Sequence, residues 1–152
     1  MVEEKLKELG IELQEPPKPL AAYIPAKRID NLVYTAGQLP LKNGKLLHTG
    51  KVGYEVTEED AVECAKLSAL NCLAAIKSVI GSLNKIESIV KVTVFVSSAV
   101  GYTGQPKVAN GASEFLSSVF GESGKHVRSA VGVSELPMNA PVEVEMIVKV
   151  AQ

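Results

Sequence analysis

Apolar residues return along this chain with two periods, three-to-four and two, and these divide it into elements. Ala61, Cys64, Ala65, Ser68, Cys72, Ala75, Ile76 and Val79 recur at helical spacing, and Leu67, Leu70, Leu73 and Ile80 widen the stripe. A long helix is predicted from Glu58 to Ile80. Thr57-Glu58-Glu59-Asp60 resembles a capping box with Asp in place of the usual Glu, and Gly81 supplies the stop. A second helix opens at Pro106 and closes at Gly121, after Phe120.

The period-two segments are strands. From Ile86 to Ser97, Val90, Val92, Val94 and Val96 share one face, and Ile89, Lys91, Thr93 and Phe95 the other, as in a central strand. Val127, Ser129, Val131 and Val133 alternate with Arg128, Ala130, Gly132 and Ser134; Val142, Val144, Met146, Val148 and Val150 alternate with Glu143, Glu145, Ile147 and Lys149. If both valine faces cover one core, Arg128 and Glu143 lie together on the opposite face.

The N-terminal third is more broken. Val2 to Leu9 reads as a short, loosely packed helix stopped by Gly10, and residues 11–20, with three prolines, as an extended lead-in. Ala22 to Arg28 and Leu32 to Gly37 read as strands around an Asp30-Asn31 turn. Lys42-Asn43-Gly44-Lys45 makes a second turn before a short strand from Lys45 to Thr49. The order predicts a single α+β domain over 1–152, with a sheet of about six strands and two helices packed on one face. Residues 1–20 form the helix and lead-in, and 21–152 the main body. Two helices leave one sheet face uncovered, where Ile89, Phe95, Ile147, Ala130 and Gly132 are expected, so a homo-oligomer is predicted with Arg128 and Glu143 near the subunit boundary.

Composition narrows the function classes. With 152 residues, 46% hydrophobic and 22% charged, the chain can build a full core, and its net charge of −1 supplies no basic stripe for nucleic acid. No apolar run approaches the ~20 residues that span a bilayer, and the acidic, amphipathic start differs from a signal peptide, so a cytoplasmic location is expected. Cys64 and Cys72 sit eight positions apart in one helix, about 12 Å along its axis, too far to bridge. They read as small buried apolar residues.

Among candidate chemical groups Arg128 stands out, as an arginine inside a Val, Ser, Ala and Gly strand needs a partner. It either pairs with Glu143 or Glu145, or offers its guanidinium fork to a carboxylate ligand. Glu143 could then orient or deprotonate a water. His48 and His126 have no ligand-spaced companions, so no metal is expected. Gly-x-Ser-x-Gly, Gly-x-Gly-x-x-Gly and phosphate-loop patterns are missing from the sequence, which gives neither a nucleophile-elbow hydrolase nor a nucleotide cofactor any support.

Thr35-Ala36-Gly37-Gln38-Leu39-Pro40, the Val90 to Val96 strand, Asn110 with Glu114, and Arg128-Ser129-Ala130-Val131 followed by Leu136-Pro137 and Val142-Glu143-Val144-Glu145 together resemble the reactive intermediate deaminase (RidA, YjgF-like) family, also labelled L-PSP endoribonuclease. The resemblance spans about Leu20 to Val150. It implies a chorismate-mutase-like fold, a homotrimer with clefts between subunits, and cofactor-free hydrolysis of 2-enamine or 2-imine acids to 2-oxo acids and ammonia. By the same resemblance Arg128 holds the substrate carboxylate, Glu143 a water, Tyr23 lies in the cleft, and Gly37 and Asn110 are motif positions. Ala130 and Ala36 stand where a cysteine and a serine are common, so neither side chain can contribute to catalysis here. The rival readings are a non-catalytic trimer that binds small carboxylates or regulates a partner and, lower, a ribonuclease, for which the chain supplies neither a phosphate surface nor a histidine pair.

Overall fold

The computed structural model describes residues 1–16 and 21–152; the last part of the proline-rich lead-in, residues 17–20, lies outside them. The first helix, α1 (Val2–Glu8), ends at Leu9 and Gly10 as its pattern requires, but it is docked rather than loose. Leu6 is buried in the main core, the Glu3 amide donates to Asn84 Oδ1 (3.0 Å), and the Glu3 carboxylate meets Lys77 Nζ at 2.8 Å. Lys77 holds the Glu3 carboxyl below the usual carboxylate range. Farther along, Gln14 donates to Leu41 O (2.9 Å) and Asn71 Oδ1 (3.1 Å), tying the lead-in to the body.

Strands β1 (Ala26–Ile29) and β2 (Leu32–Thr35) form an antiparallel hairpin, with Asp30 in the left-handed region at the turn (φ 52°). β1 starts four residues later than expected. Pro25 has no N–H for a ladder, but its carbonyl accepts from Ala36 N (2.8 Å). β3 (Leu41–Lys42) and β4 (Lys45–Leu46) make a separate two-stranded ribbon around Asn43-Gly44.

Helix α2 (Glu58–Ile80) has the predicted ends. Thr57 Oγ1 accepts from Asp60 N (3.1 Å), and the Asp60 carboxylate lies 3.7 Å from His48 Nε2. Its face of Ala61, Cys64, Ala65, Leu73 and Ile76 is fully buried; burying a side chain such as Leu73 or Ile76 contributes about 1.5–3 kcal/mol. Strand β5 (Ile86–Ser97) follows, then α3 (Gln105–Phe120), β6 (Val127–Val133) and β7 (Val142–Val150). The main sheet has the order β1-β2-β7-β5-β6, with β5 antiparallel to β7 and parallel to β6. The five-stranded sheet plus the ribbon, with α2 and α3 packed together on one face, is the expected α+β architecture.

Two features of strand facing depart from the sequence pattern. Ile89 is buried and Val90 exposed, because the β5–β7 register shifts between Ile89 and Lys91, and this bulge inverts the alternation at its start. β6 is also turned over. Its register sets Arg128 beside Val92, Ala130 beside Val94 and Gly132 beside Val96, which places all three on the helix side. Val127 and Val131, expected in the core, are 65% and 43% exposed on the uncovered side. β6 is an edge strand, so its valines need not face this chain's own core. With Phe95, Ile147 and Tyr34 they share the uncovered face of the sheet.

Candidate functional site

The facing of β6 separates the two residues that parity had placed together. Glu143 pairs with Phe95 and points to the open face, whereas Arg128 pairs with Val92 and points to the helix side. Within one chain they form two clusters on opposite faces of the same sheet.

In the first cluster, Arg128 Nη1 donates to Asn110 Oδ1 (2.8 Å) and to Ser113 Oγ (3.2 Å). Asn110 and Ser113 are one turn apart on α3 and therefore share a face. Ser113 Oγ is 2.9 Å from His126 Nε2, and His126 Nδ1 is 2.7 Å from Gly124 O. Asn110, a motif position by the resemblance, is thus beside Arg128, and Ser113 and His126, which were not expected there, join them. Their signal was present in the spacing: Ser113 follows Asn110 by three residues on the helix, and His126 stands two residues before Arg128, just ahead of β6. Among the described residues no carboxylate lies within 4 Å of the Arg128 guanidinium, so this half-buried cation is held by neutral oxygens alone. The ion pair with Glu143 or Glu145 is not formed. Ala130, next on the same face, packs against the core, and the space beside Gly132 is filled by Gln105 Nε2 and Ser98 Oγ rather than left open.

The second cluster is built by an irregularity. Tyr34 pairs with Ile147 and Gln38 with Val144, so the stretch from Tyr34 to Gln38 carries one residue more than the facing stretch of β7. Thr35 Oγ1 supplies the missing acceptor, taking the Met146 N–H at 3.0 Å. This bulge brings the Gly37 backbone against Glu143: a Cβ at position 37 would lie 2.3 Å from Glu143 Oε1. Gly37 is there because any side chain would occupy the carboxylate's place. Burial, followed by the neighbouring Glu145 charge, pushes the Glu143 carboxyl above the usual range. A carboxyl displaced in this direction is a stronger proton acceptor than an ordinary carboxylate. Tyr23 stands exposed just before β1, on the segment that the Pro25–Ala36 bond lays alongside the bulge.

The Leu136-Pro137 connection between β6 and β7 holds Met138 and Asn139 in the left-handed region, both at φ 60°. Such strain costs about 1–3 kcal/mol per residue and persists where surroundings impose it. Here Gly50 N donates to Asn139 O (2.9 Å), and Lys51 Nζ donates to Ser134 O and pairs with Glu135 at 3.3 Å. The loop thereby fixes the end of β6 and the start of β7.

Neither cysteine belongs to these clusters. Burial pushes both thiols up to about 12, and Cys72 Sγ donates to Val144 O (3.2 Å), so neither is available as a thiolate. Among the described residues no helix is long and apolar enough to cross a membrane.

Comparison with known proteins places this geometry in context. A family model described as YjgF/chorismate mutase-like, with an endoribonuclease label, matches residues 3–150. Protein TCP17 of Trypanosoma cruzi is 37% identical over 145 residues, covering 95% of this chain and 91% of that protein. A 2-iminobutanoate/2-iminopropanoate deaminase of Dermatophagoides farinae is 30% identical over 132 residues, covering 87% and 88%. A crystal structure of an Agrobacterium tumefaciens protein of unknown function superposes with a TM-score of 0.92 at 42% identity, covering 99% of this chain and 92% of that one.

Proposed function

The chain belongs to the YjgF/chorismate mutase-like family, and on that premise we propose that it hydrolyses reactive 2-imine or 2-enamine acids to 2-oxo acids and ammonia. The observation that carries this reading is Arg128, a half-buried guanidinium held by Asn110 and Ser113 with no carboxylate of its own among the described residues. Its missing counter-ion is the substrate carboxylate, which a planar guanidinium binds with two parallel hydrogen bonds. The similarity to an imine deaminase supports the same class of substrate.

Glu143 activates the water. The water adds to the imine carbon and its proton passes to the Glu143 carboxylate. The carboxyl returns that proton to nitrogen, giving a carbinolamine, and the hydroxyl proton then passes to nitrogen by the same route as the C–N bond breaks, so that the carbonyl forms and ammonia leaves with both water hydrogens. Imines hydrolyse readily in water, so positioning and modest electrostatics suffice, and no cofactor enters the scheme.

Because Arg128 and Glu143 face opposite sides of one sheet, a single chain does not bring them to one substrate. The reading therefore includes a homotrimer in which edge strand β6 of one protomer packs near the open face of its neighbour, joining Arg128 of one chain to Glu143 and Gly37 of the next. The exposed Val127, Val131 and Tyr34 supply apolar surface for that contact. Ala36 and Ala130 favour one rival, a trimer that binds small carboxylates without turning them over.

The test is a coupled assay in which a dehydratase generates 2-iminopropionate and 2-oxo acid release is followed. Wild-type protein should accelerate release and Arg128→Ala should abolish the acceleration. Calorimetric binding of 2-oxo acids with no acceleration over buffer would select the binding module instead.

A further inference from the structure

Resting on the reading of Arg128 as the carboxylate anchor, we infer that Ser113 and His126 are positioning residues that lock the guanidinium, so that only its Nε–Nη2 edge is presented to the substrate. Nη1 carries two hydrogens, and both are engaged, one by Asn110 Oδ1 at 2.8 Å and one by Ser113 Oγ at 3.2 Å. The remaining donors are Nε–H and the two Nη2 hydrogens, which form one side-on fork matched to a carboxylate.

For Ser113 to accept from Arg128, its own hydroxyl proton must point elsewhere, and His126 determines where. The Gly124 carbonyl, 2.7 Å from Nδ1, can only accept, so Nδ1 carries a hydrogen. In the neutral ring that leaves Nε2 as an acceptor, 2.9 Å from Ser113 Oγ, to take the hydroxyl proton. The chain of donors runs Arg128 to Ser113, Ser113 to His126, His126 to the Gly124 carbonyl. Its far end is rigid. A Cβ at Gly124 would lie 2.7 Å from Leu116 O, so that glycine sits directly on the backbone of α3. Strand β6, helix α3 and the turn joining them are thus connected through side chains whose common terminus is Arg128 Nη1.

Kinetics of five variants in the coupled assay test the pair: Arg128→Ala, Ser113→Ala, Ser113→Thr, His126→Leu and His126→Gln. Thermal melts accompany them. Ser113→Ala places the best helix former on a helix and should fold. A guanidinium free to swing binds the carboxylate less well in ground state and transition state alike, which raises KM and leaves kcat. Ser113→Ala and His126→Leu should raise KM about tenfold, in line with loss of a hydrogen bond to a charged group, with kcat within about threefold. Ser113→Thr keeps the hydroxyl and His126→Gln keeps an acceptor near Nε2, so both should restore KM. If Arg128→Ala is inactive while Ser113→Ala and His126→Leu keep wild-type KM, the inference falls and the proposed function stands. A fall in kcat alone, not restored by Ser113→Thr or His126→Gln, also overturns it. A fully active Arg128→Ala overturns the proposed function itself. Should His126→Leu fail to fold, the two Ser113 variants decide the matter.

Discussion

Replacing Gly37 by alanine isolates the contact between the bulge and Glu143. The added Cβ would stand 2.3 Å from Glu143 Oε1, 2.8 Å from its Cδ and 3.1 Å from its Cγ. Comfortable contact needs roughly 3.5 Å, so the carboxylate oxygen must retreat by more than about 1 Å. The three nearest atoms all belong to the far part of one flexible side chain, and Gly37 is not among the residues with positive φ. The fold can therefore accept the methyl, and the narrower unfolded ensemble of alanine adds about 0.4–1 kcal/mol of stability. Glu143 alone is displaced. A misplacement of about 1 Å in a catalytic group costs on the order of 100-fold in rate. Gly37→Ala should thus melt at or a few degrees above wild type while kcat for 2-iminopropionate falls about 100-fold. A variant with wild-type kcat and an intact fold would refute the role given to the Gly37–Glu143 contact.

Two further substitutions have different signatures. A Cβ at Gly111 would lie 2.1 Å from Val62 O, a backbone atom of the paired helix that cannot step aside, so Gly111→Ala should cost about 2–3 kcal/mol or more in a denaturant melt despite the better helix propensity of alanine. An unchanged midpoint would show that α2 and α3 are not packed so closely. Glu143→Gln should abolish turnover yet raise the melting temperature at pH 7. The folded state holds the Glu143 proton more tightly than the unfolded chain, so its contribution to stability is present at low pH and lost as pH rises through the raised value. Glutamine does not ionise, and its advantage should vanish near pH 4, where the wild-type carboxyl is also neutral. An advantage that grows as pH falls would contradict the direction of the shift.

Where local signals and burial agree, the chain can be read directly. α2 runs from the Thr57 cap to Gly81 at φ 84°, β5 spans Ile86–Ser97, and every second residue of β7 from Val142 is buried. The failures share a cause, which is that alternation reports which residues avoid water and not which partner they meet. On edge strand β6 the valines face the uncovered side, and Arg128 turns toward α3 to meet oxygens that compensate its burial. Bulges are equally silent. One extra residue at Val90 inverts a face, and one near Thr35–Gly37 builds the seat of Glu143. The candidate residues were legible one by one. Their division between two faces was not, because it depends on strand register, and Ser113 and His126 were missed because their short spacings to Asn110 and Arg128 point to a shared site only once α3 and β6 are known to lie side by side.

The division between faces also supplies the most direct test of a shared cleft. On the proposed trimeric reading, the Arg128→Ala and Glu143→Gln variants should each be inactive. Unfolded together in equal amounts and refolded, the two variants are expected to form mixed trimers, in which about one quarter of the clefts would combine an intact arginine from one protomer with an intact glutamate from its neighbour. The mixture is expected to recover about a quarter of wild-type 2-oxo acid release. A mixture that reassembles but remains as inactive as its parents would contradict an active site built from Arg128 and Glu143 of different chains.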